Sequence, residues 1–260
     1  MKVSVITVCY NAEKTIADTI RSVFAQRCPV PVEYLIVDGA SKDNTLAVIN
    51  QTIPNQTIKQ SNAPSFSLIS EPDQGLYDAI NKGIARSTGD IIGILNADDR
   101  FEDESVLADI AKAFEDDPTL DCVYGDLRFV RGESNETTRY YSSRRWRPWM
   151  HNWGFMPAHP TMYVRRSVFD RFGAYKLGYE ISADFEWMTR ILCRNKIKAR
   201  YLPRCMVTMR LGGKSTAGLK AMLKLNLENC KANRANGYFS ILPMMLPKYA
   251  FKIWGYIFRR

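Results

Sequence analysis

The stretch DIIGILNADDRFEDES, residues 90–105, decides how the rest of the chain is read. Ile91, Ile92, Ile94 and Leu95 form a short apolar run that ends abruptly in Asn96-Ala97-Asp98-Asp99. A run of that length with polar bounds reads as a buried strand. Two adjacent carboxylates at its end repel each other, and scarce water strengthens the repulsion. The pair needs a positive partner.

Outward from this point the chain alternates. Residues 3–9 read as a β-branched strand, and 13–24 as a helix with Ile16, Ile20, Val23 and Phe24 on one face. A strand at 34–37, a helix at 44–51, a strand at 66–69 and a helix at 77–86 follow. The quoted strand at 90–95, a helix at 104–114 and a strand at 122–130 complete the series. Such alternation implies right-handed crossovers, an α/β fold and a mainly parallel central sheet flanked by helices. Beyond it the pattern loosens. Residues 139–160, dense in aromatics and Arg, read as a loop-rich wall. A helix at 182–192, a strand at 197–202 and an amphipathic helix at 219–234 come after.

In open parallel sheets ligands bind beyond the carboxyl ends of the strands. The four strand ends here are Tyr10-Asn11, Asp38-Gly39, Glu71-Pro72-Asp73 and Asn96-Ala97-Asp98-Asp99. One edge therefore gathers several acids. Asp and Asn oxygens suit Mg²⁺ or Mn²⁺, held by one or two carboxylates together with substrate phosphates. Asp98-Asp99 alone also fits a solvated cap of the following helix; four polar ends on one rim favour the metal. Asp38 fits a turn before Gly39 equally well. LGGKST, residues 211–216, lacks the first P-loop glycine, since position 208 is Thr208, so a Walker-type site is excluded. Lys214 in that loop remains a candidate phosphate contact on a mobile lid, and an ordinary surface loop fits as well.

Composition bounds the partners. The 260 residues are 46% hydrophobic and 24% charged, which suits a globular chain. Residues 187–260 carry sixteen Lys or Arg against one acid, Glu228, so the first 186 residues hold −6 of the net +9. A basic end on a mildly acidic body points to an anionic partner. The six cysteines are scattered with no C-x-x-C pair, as expected of reduced thiols in the cytoplasm. No signal peptide and no ordinary membrane-spanning run is expected.

Four segments taken together, SVITVCYN, LIVDGASKDNT, SEPDQGLYDAINKGIARSTGDIIGILNADD and ISADFEWMTRIL, resemble the family 2 glycosyltransferases. The likeness covers roughly residues 2–192. The EPDQGLYDAINKG form is similar to enzymes that build bacterial surface polysaccharides such as capsule, O-antigen or exopolysaccharide. The resemblance implies a GT-A fold and inverting transfer from a nucleotide-diphospho-sugar. It implies that Asp38 contacts the nucleobase in a pocket lined by Tyr10, Asn11, Asp73 and, on the first strand, Thr7. Asn96-Ala97-Asp98 stands at the D-x-D motif, with Asp98 as metal ligand and Asp99 supporting it or touching the sugar. Asn96 replaces the usual first Asp and adds no charge. Asp184, in SADFEW, matches the catalytic base, with Ala183 where a Glu is usual. It would also suit a helix cap.

The expected division is a catalytic domain at 1–216, with a nucleotide-sugar half (1–120) and an acceptor and base half (121–216), then a basic extension at 217–260. Trp149 and Trp153 are candidate sugar-stacking residues on the acceptor side. His159, fixed between Pro157 and Pro160, is a candidate contact to diphosphate or metal. Core packing fits the tryptophans as well. The donor is expected to be a uridine diphosphate sugar and the acceptor a lipid-linked saccharide. Residues 237–260 mix aromatics with cations, which suits peripheral attachment to the anionic inner face of the cell membrane. A sugar nucleotidyltransferase is the rival enzyme class, but the first strand runs into CYNAEKT with no glycine-rich loop. A nucleic-acid binder using RYYSSRRWRPW, residues 139–149, is disfavoured by the acidic rim.

Overall fold

The computed structural model describes residues 1–53, 64–132, 135–211 and 218–249. Lys214 and the aromatic run from residue 250 onward lie outside the described residues. Within them the elements run β1 (Val3–Cys9), α1 (Ile16–Phe24), β2 (Val32–Asp38), α2 (Thr45–Thr52), β3 (Ser65–Ser70), α3 (Leu76–Arg86) and β4 (Ile91–Ile94). Then come β5 (Asp99–Phe101), α4 (Val106–Asp116), β6 (Cys122–Val130), β7 (Thr137–Tyr141), β8 (Tyr163–Arg165), α5 (Arg166–Phe172), α6 (Ala183–Met188), β9 (Ala199–Arg210) and α7 (Leu219–Ala235).

The sheet has two characters. β3, β2, β1 and β4 are parallel, as the alternation predicts. From β4 the order continues β8-β6-β9-β5 with mixed directions, and β7 pairs with β6. β5, which follows β4 directly in sequence, pairs with β9 at the far end, so the sheet curls. The three residues of β8 carry too little periodicity to be read beforehand. Their place is visible in Gly93, where a Cβ would lie 2.2 Å from the Tyr163 ring. β9 is longer than the expected 197–202 because the register with β6 shifts between Tyr124 and Asp126, which lets the strand carry Pro203.

Both sheet faces are buried. Val3 and Val5 of β1 pack with Ile16, Ile20 and Phe114 on one side, while Ile6 and Val8 pack with Ile80, Phe185 and Trp187 on the other. That two-sided burial explains the near-continuous apolar strands. No helix among the described residues is long and apolar enough to cross a membrane.

Candidate active site

Register sets the rim. Cys9 lies opposite Asp38 and Asp38 opposite Ser70, so β1, β2 and β3 end at one level. The loops after β1 and β2 are latched together. The Asn11 amide donates to Ser41 Oγ at 2.8 Å, and Asn11 Oδ1 accepts from the Lys42 amide at 2.8 Å. Asn11 and Ala40 both take left-handed backbone there, with φ of 51° and 59°. Above the latch Tyr10 is 58% exposed. A Cβ on Gly39 would sit 2.3 Å from Asp73 Oδ2 and 3.5 Å from the Tyr10 ring. Tyr10, Gly39 and Asp73 therefore line one cleft, and a methyl at position 39 would displace the Asp73 carboxylate.

Two expected donor-site residues sit beneath this cleft rather than on it. Asp38 is fully buried, and its carboxylate accepts from the Ser41 amide and hydroxyl, the Ser70 hydroxyl and the Cys9 thiol. Both oxygens serve the turn, so Asp38 presents no surface to a nucleobase in this arrangement. Burial and then the Asp38 charge push the Cys9 thiol well up. Thr7 is likewise fully buried, accepting from the Tyr34 hydroxyl at 3.1 Å. As an interior position of a doubly covered strand it belongs to the core. Ala97 is buried among core residues and offers little beyond its main chain.

The opening carboxylates behave as their position dictates. Asp98 is half-buried, and burial raises its carboxyl, offset in part by its own amide and by Arg210. Asp99 is 1% exposed because it begins β5 against β9. Its Oδ2 receives a 3.4 Å contact from Asn96 Nδ2, while Oδ1 has no hydrogen-bond partner. Burial, and then repulsion from Asp98, raises it well above the usual range. An orphaned buried oxygen beside a second carboxylate fits a hard divalent cation. Among the described residues no three Asp, Glu, His or Cys side chains converge as a metal cage. A cation here would need oxygens from a bound diphosphate.

Asp184 opens α6, half-buried, and its Oδ1 accepts from the Phe185 amide at 2.7 Å. The Tyr77 hydroxyl lies 3.1 Å from the same oxygen and 2.6 Å from the Ile181 carbonyl. Tyr77 belongs to α3, whose start is fed by the Asp73 loop, so one short segment joins the cleft of Tyr10, Gly39 and Asp73 to Asp184. Burial, then the Asp184 charge, raises Tyr77 well above the ordinary phenol value, and it keeps its proton. Behind it, Tyr175 stacks on Tyr77 at 5.8 Å and meets His159 Nε2 at 2.7 Å. His159 is therefore enclosed behind Asp184, not open on an acceptor wall; burial lowers it and Asp184 partly restores it. The loop before Asp184 is clamped from α7. Glu228 accepts the amides of Glu180, Ile181 and Ser182 at 3.0, 2.9 and 2.9 Å. Trp149 and Trp153 stand 65% and 38% exposed on the turn Pro148–Trp153.

Sequence reasoning missed Tyr77, Tyr175 and Glu228. Tyr77 stands two residues after Gly75 in the first turn of α3, where a core aromatic looks the same. Glu228 was visible as the lone acid in a basic tail.

The family model for glycosyl transferase family 2 matches residues 4–173. The chain belongs to glycosyl transferase family 2. This transferase is 29% identical over 195 residues to an uncharacterized glycosyltransferase of Mycobacterium tuberculosis, covering 72% of this chain and 68% of that one. It is 28% identical over 204 residues to a PGL/p-HBAD biosynthesis glycosyltransferase of Mycobacterium bovis, covering 76% and 73%. Its fold matches S. aureus TarS 1-349 in complex with UDP-GlcNAc at a TM-score of 0.66 and 17% identity. That match covers 88% of the transferase and 66% of the TarS chain. The mannosyltransferase PcManGT of Pyrobaculum calidifontis, in complex with GDP-Man and Mn²⁺, matches at 0.59 and 18%, covering 96% and 74%. These two likenesses establish the GT-A-like fold shared by all three.

Proposed function

We propose that this glycosyltransferase moves a sugar, with inversion, from a nucleotide-diphospho-sugar to a hydroxyl of a lipid-linked saccharide. The setting is bacterial surface-polysaccharide assembly at the inner face of the cell membrane. The observation that carries the chemistry is the Asp184–Tyr77 contact, because α3 ties it to the cleft of Tyr10, Gly39 and Asp73. Asp184 accepts the proton of the acceptor hydroxyl, whose oxygen attacks the anomeric carbon from the side opposite the phosphate. Asp98, supported by Asp99, would hold Mg²⁺ or Mn²⁺ against the diphosphate, where the cation supplies neutralisation of the leaving charge. The Mn²⁺ bound with GDP-Man in the fold neighbour supports this reading, and the UDP-GlcNAc of TarS supports a uridine donor. Trp149 and Trp153, exposed near the helix of Asp184, offer stacking faces to an acceptor sugar.

The test has two arms. A panel of nucleotide sugars, screened by thermal shift with and without Mn²⁺, should show stabilisation that rises with ligand concentration. Asp184→Asn should keep that shift and lose transfer by roughly 10²–10⁴-fold, the range of a general base. Wild-type turnover in Asp184→Asn would exclude the base role.

A further inference from the structure

α7 is inverted relative to an ordinary surface helix. Its inward side is largely polar: Asn226, Asn229 and Asn233 are buried at 5%, 3% and 0% exposure, with Cys230 and Ala232 buried beside them. Asn226 Nδ2 donates to the Tyr249 hydroxyl at 3.0 Å, and Asn233 Nδ2 to the His151 carbonyl at 2.9 Å. Its outward side is leucine. Leu219, Leu223 and Leu227, one turn apart each, are 78%, 52% and 49% exposed. The amphipathic pattern expected at 219–234 is present, and its leucines face out. The apolar surface continues beyond the helix. Phe239 and Leu246 are strongly exposed, and a groove between α7 and the turn Leu242–Met245 is lined by Leu227, Cys230, Lys231, Arg234 and Leu242.

Cations run beside the leucines. At 100° per residue, Lys220, Lys224 and Lys231 fall on the flank next to Leu219, Leu223 and Leu227; within that flank Lys224 pairs with Glu180, and Lys231 meets the Gly178 carbonyl and the Tyr179 ring. Residues 218–249 hold five Lys or Arg and one acid. That acid, Glu228, is engaged by three amides of the base loop. An apolar ridge with a basic flank suits an anionic bilayer surface, where leucine bodies sink and ammonium groups meet phosphates. A second copy of the chain would bring like charges together, and nucleic acid would leave the leucines in water.

We infer that the outer face of α7, with Phe239, Leu242 and Leu246, is the surface that docks the enzyme on anionic lipid. The loop carrying Asp184 is clamped to the opposite side of the same helix through Glu228. Docking therefore places the reactive site about one helix diameter, roughly 10 Å, from the headgroups. A sugar on a lipid carrier would meet it there. The inference deepens the membrane part of the proposed function and rests on no step of the transfer chemistry.

Sedimentation of the full chain with vesicles tests it. Wild type should co-pellet with phosphatidylglycerol–phosphatidylcholine vesicles at low salt, and weakly with phosphatidylcholine alone. The combined Leu219→Ser, Leu223→Ser and Leu227→Ser variant should lose partitioning by about tenfold or more, since apolar burial and charge act together in such binding. Lys220→Gln with Lys224→Gln should weaken it and flatten its salt dependence. Unchanged urea midpoints would show that the variants fold. Equal pelleting of the leucine variant and wild type would overturn the inference. So would indifference of wild type to lipid charge, or a dimer that the leucine substitutions dissolve without altering vesicle binding. Nucleotide-dependent thermal shifts report separately on the transfer reading, so either can fail alone.

Discussion

At the scale of single residues, proton bookkeeping at Tyr77 is the sharpest feature. A phenol has one proton, and here two acceptors face it, the Ile181 carbonyl and Asp184 Oδ1. Toward an ionised Asp184 the phenol can donate. Toward a protonated one it can accept, leaving its own proton on Ile181. Tyr77 can thus position the carboxylate in both states of a proton-transfer cycle. Tyr77→Phe should lower kcat by about tenfold, the scale of one charge-assisted hydrogen bond, while donor KM stays nearly fixed. Steady-state kinetics at saturating donor would decide, and an unchanged kcat would remove Tyr77 from the machinery. Gly39 acts on the other side of the cleft. Gly39→Ala puts a methyl where the Asp73 carboxylate now lies. That side chain can swing, so stability should change by less than about 1 kcal/mol, but donor affinity should fall. Thermal shift by nucleotide, compared with the urea midpoint, separates the two effects.

At the scale of elements, the junction of α6 and α7 sets the position of Asp184, the proposed base. α6 spans Ala183–Met188 and passes directly into a wider π-turn at Thr189–Arg194. It is anchored by Glu186, fully buried and paired with Lys176 and Arg190 at 2.9 Å each. Burial raises that carboxyl, but the two cations outweigh it and hold it below its usual value. Glu228 performs the second anchoring from α7. Glu228→Ala would strip three amides of their acceptor, at a cost of about 1–3 kcal/mol, and free the segment before Asp184. Both the urea midpoint and kcat should fall, whereas Glu228→Gln should recover part of each. A variant that lost stability but kept full kcat would show that the clamp serves folding alone.

At the scale of the whole molecule, stability should depend on two buried imidazoles. Burial lowers His151 to about 3, and it lowers His159 as well. Groups with depressed folded values leave the unfolded chain to bind protons first as the pH falls through about 6.5. Their contribution is complete above that value and is lost below it. For His151 the loss between pH 7.5 and 5.5 is about 1.4 kcal/mol. Asp99, raised in the folded state, works in the opposite sense. The comparison is therefore between wild type and His151→Gln, in which the Gln carbonyl can still accept from Trp146 Nε1. Urea midpoints measured at both pH values should converge on acidification, and parallel slopes would refute the assignment.

Local pattern determined much of this protein. The parallel half-sheet, its helices and the acidic rim were legible because period and strand ends are properties of neighbouring residues. The motif of residues 71–99 carried the family for the same reason, and Asp73, Asp98 and Asp184 each stand at the end of a readable element. Tertiary structure alone decided which rim residues face the cleft. Asp38 and Tyr10 follow similar strands, yet one is sealed by Ser41 and Ser70 and the other is open. It decided the mixed half of the sheet, where three-residue strands gain their partners only from distant chain. It turned His159 inward and set Tyr77 against Asp184 across 107 positions of sequence. It also chose the side of α7 that packs. Periodicity reports that a helix has two faces, but hydrogen bonds to the His151 carbonyl and Tyr249 made the asparagine side the inner one.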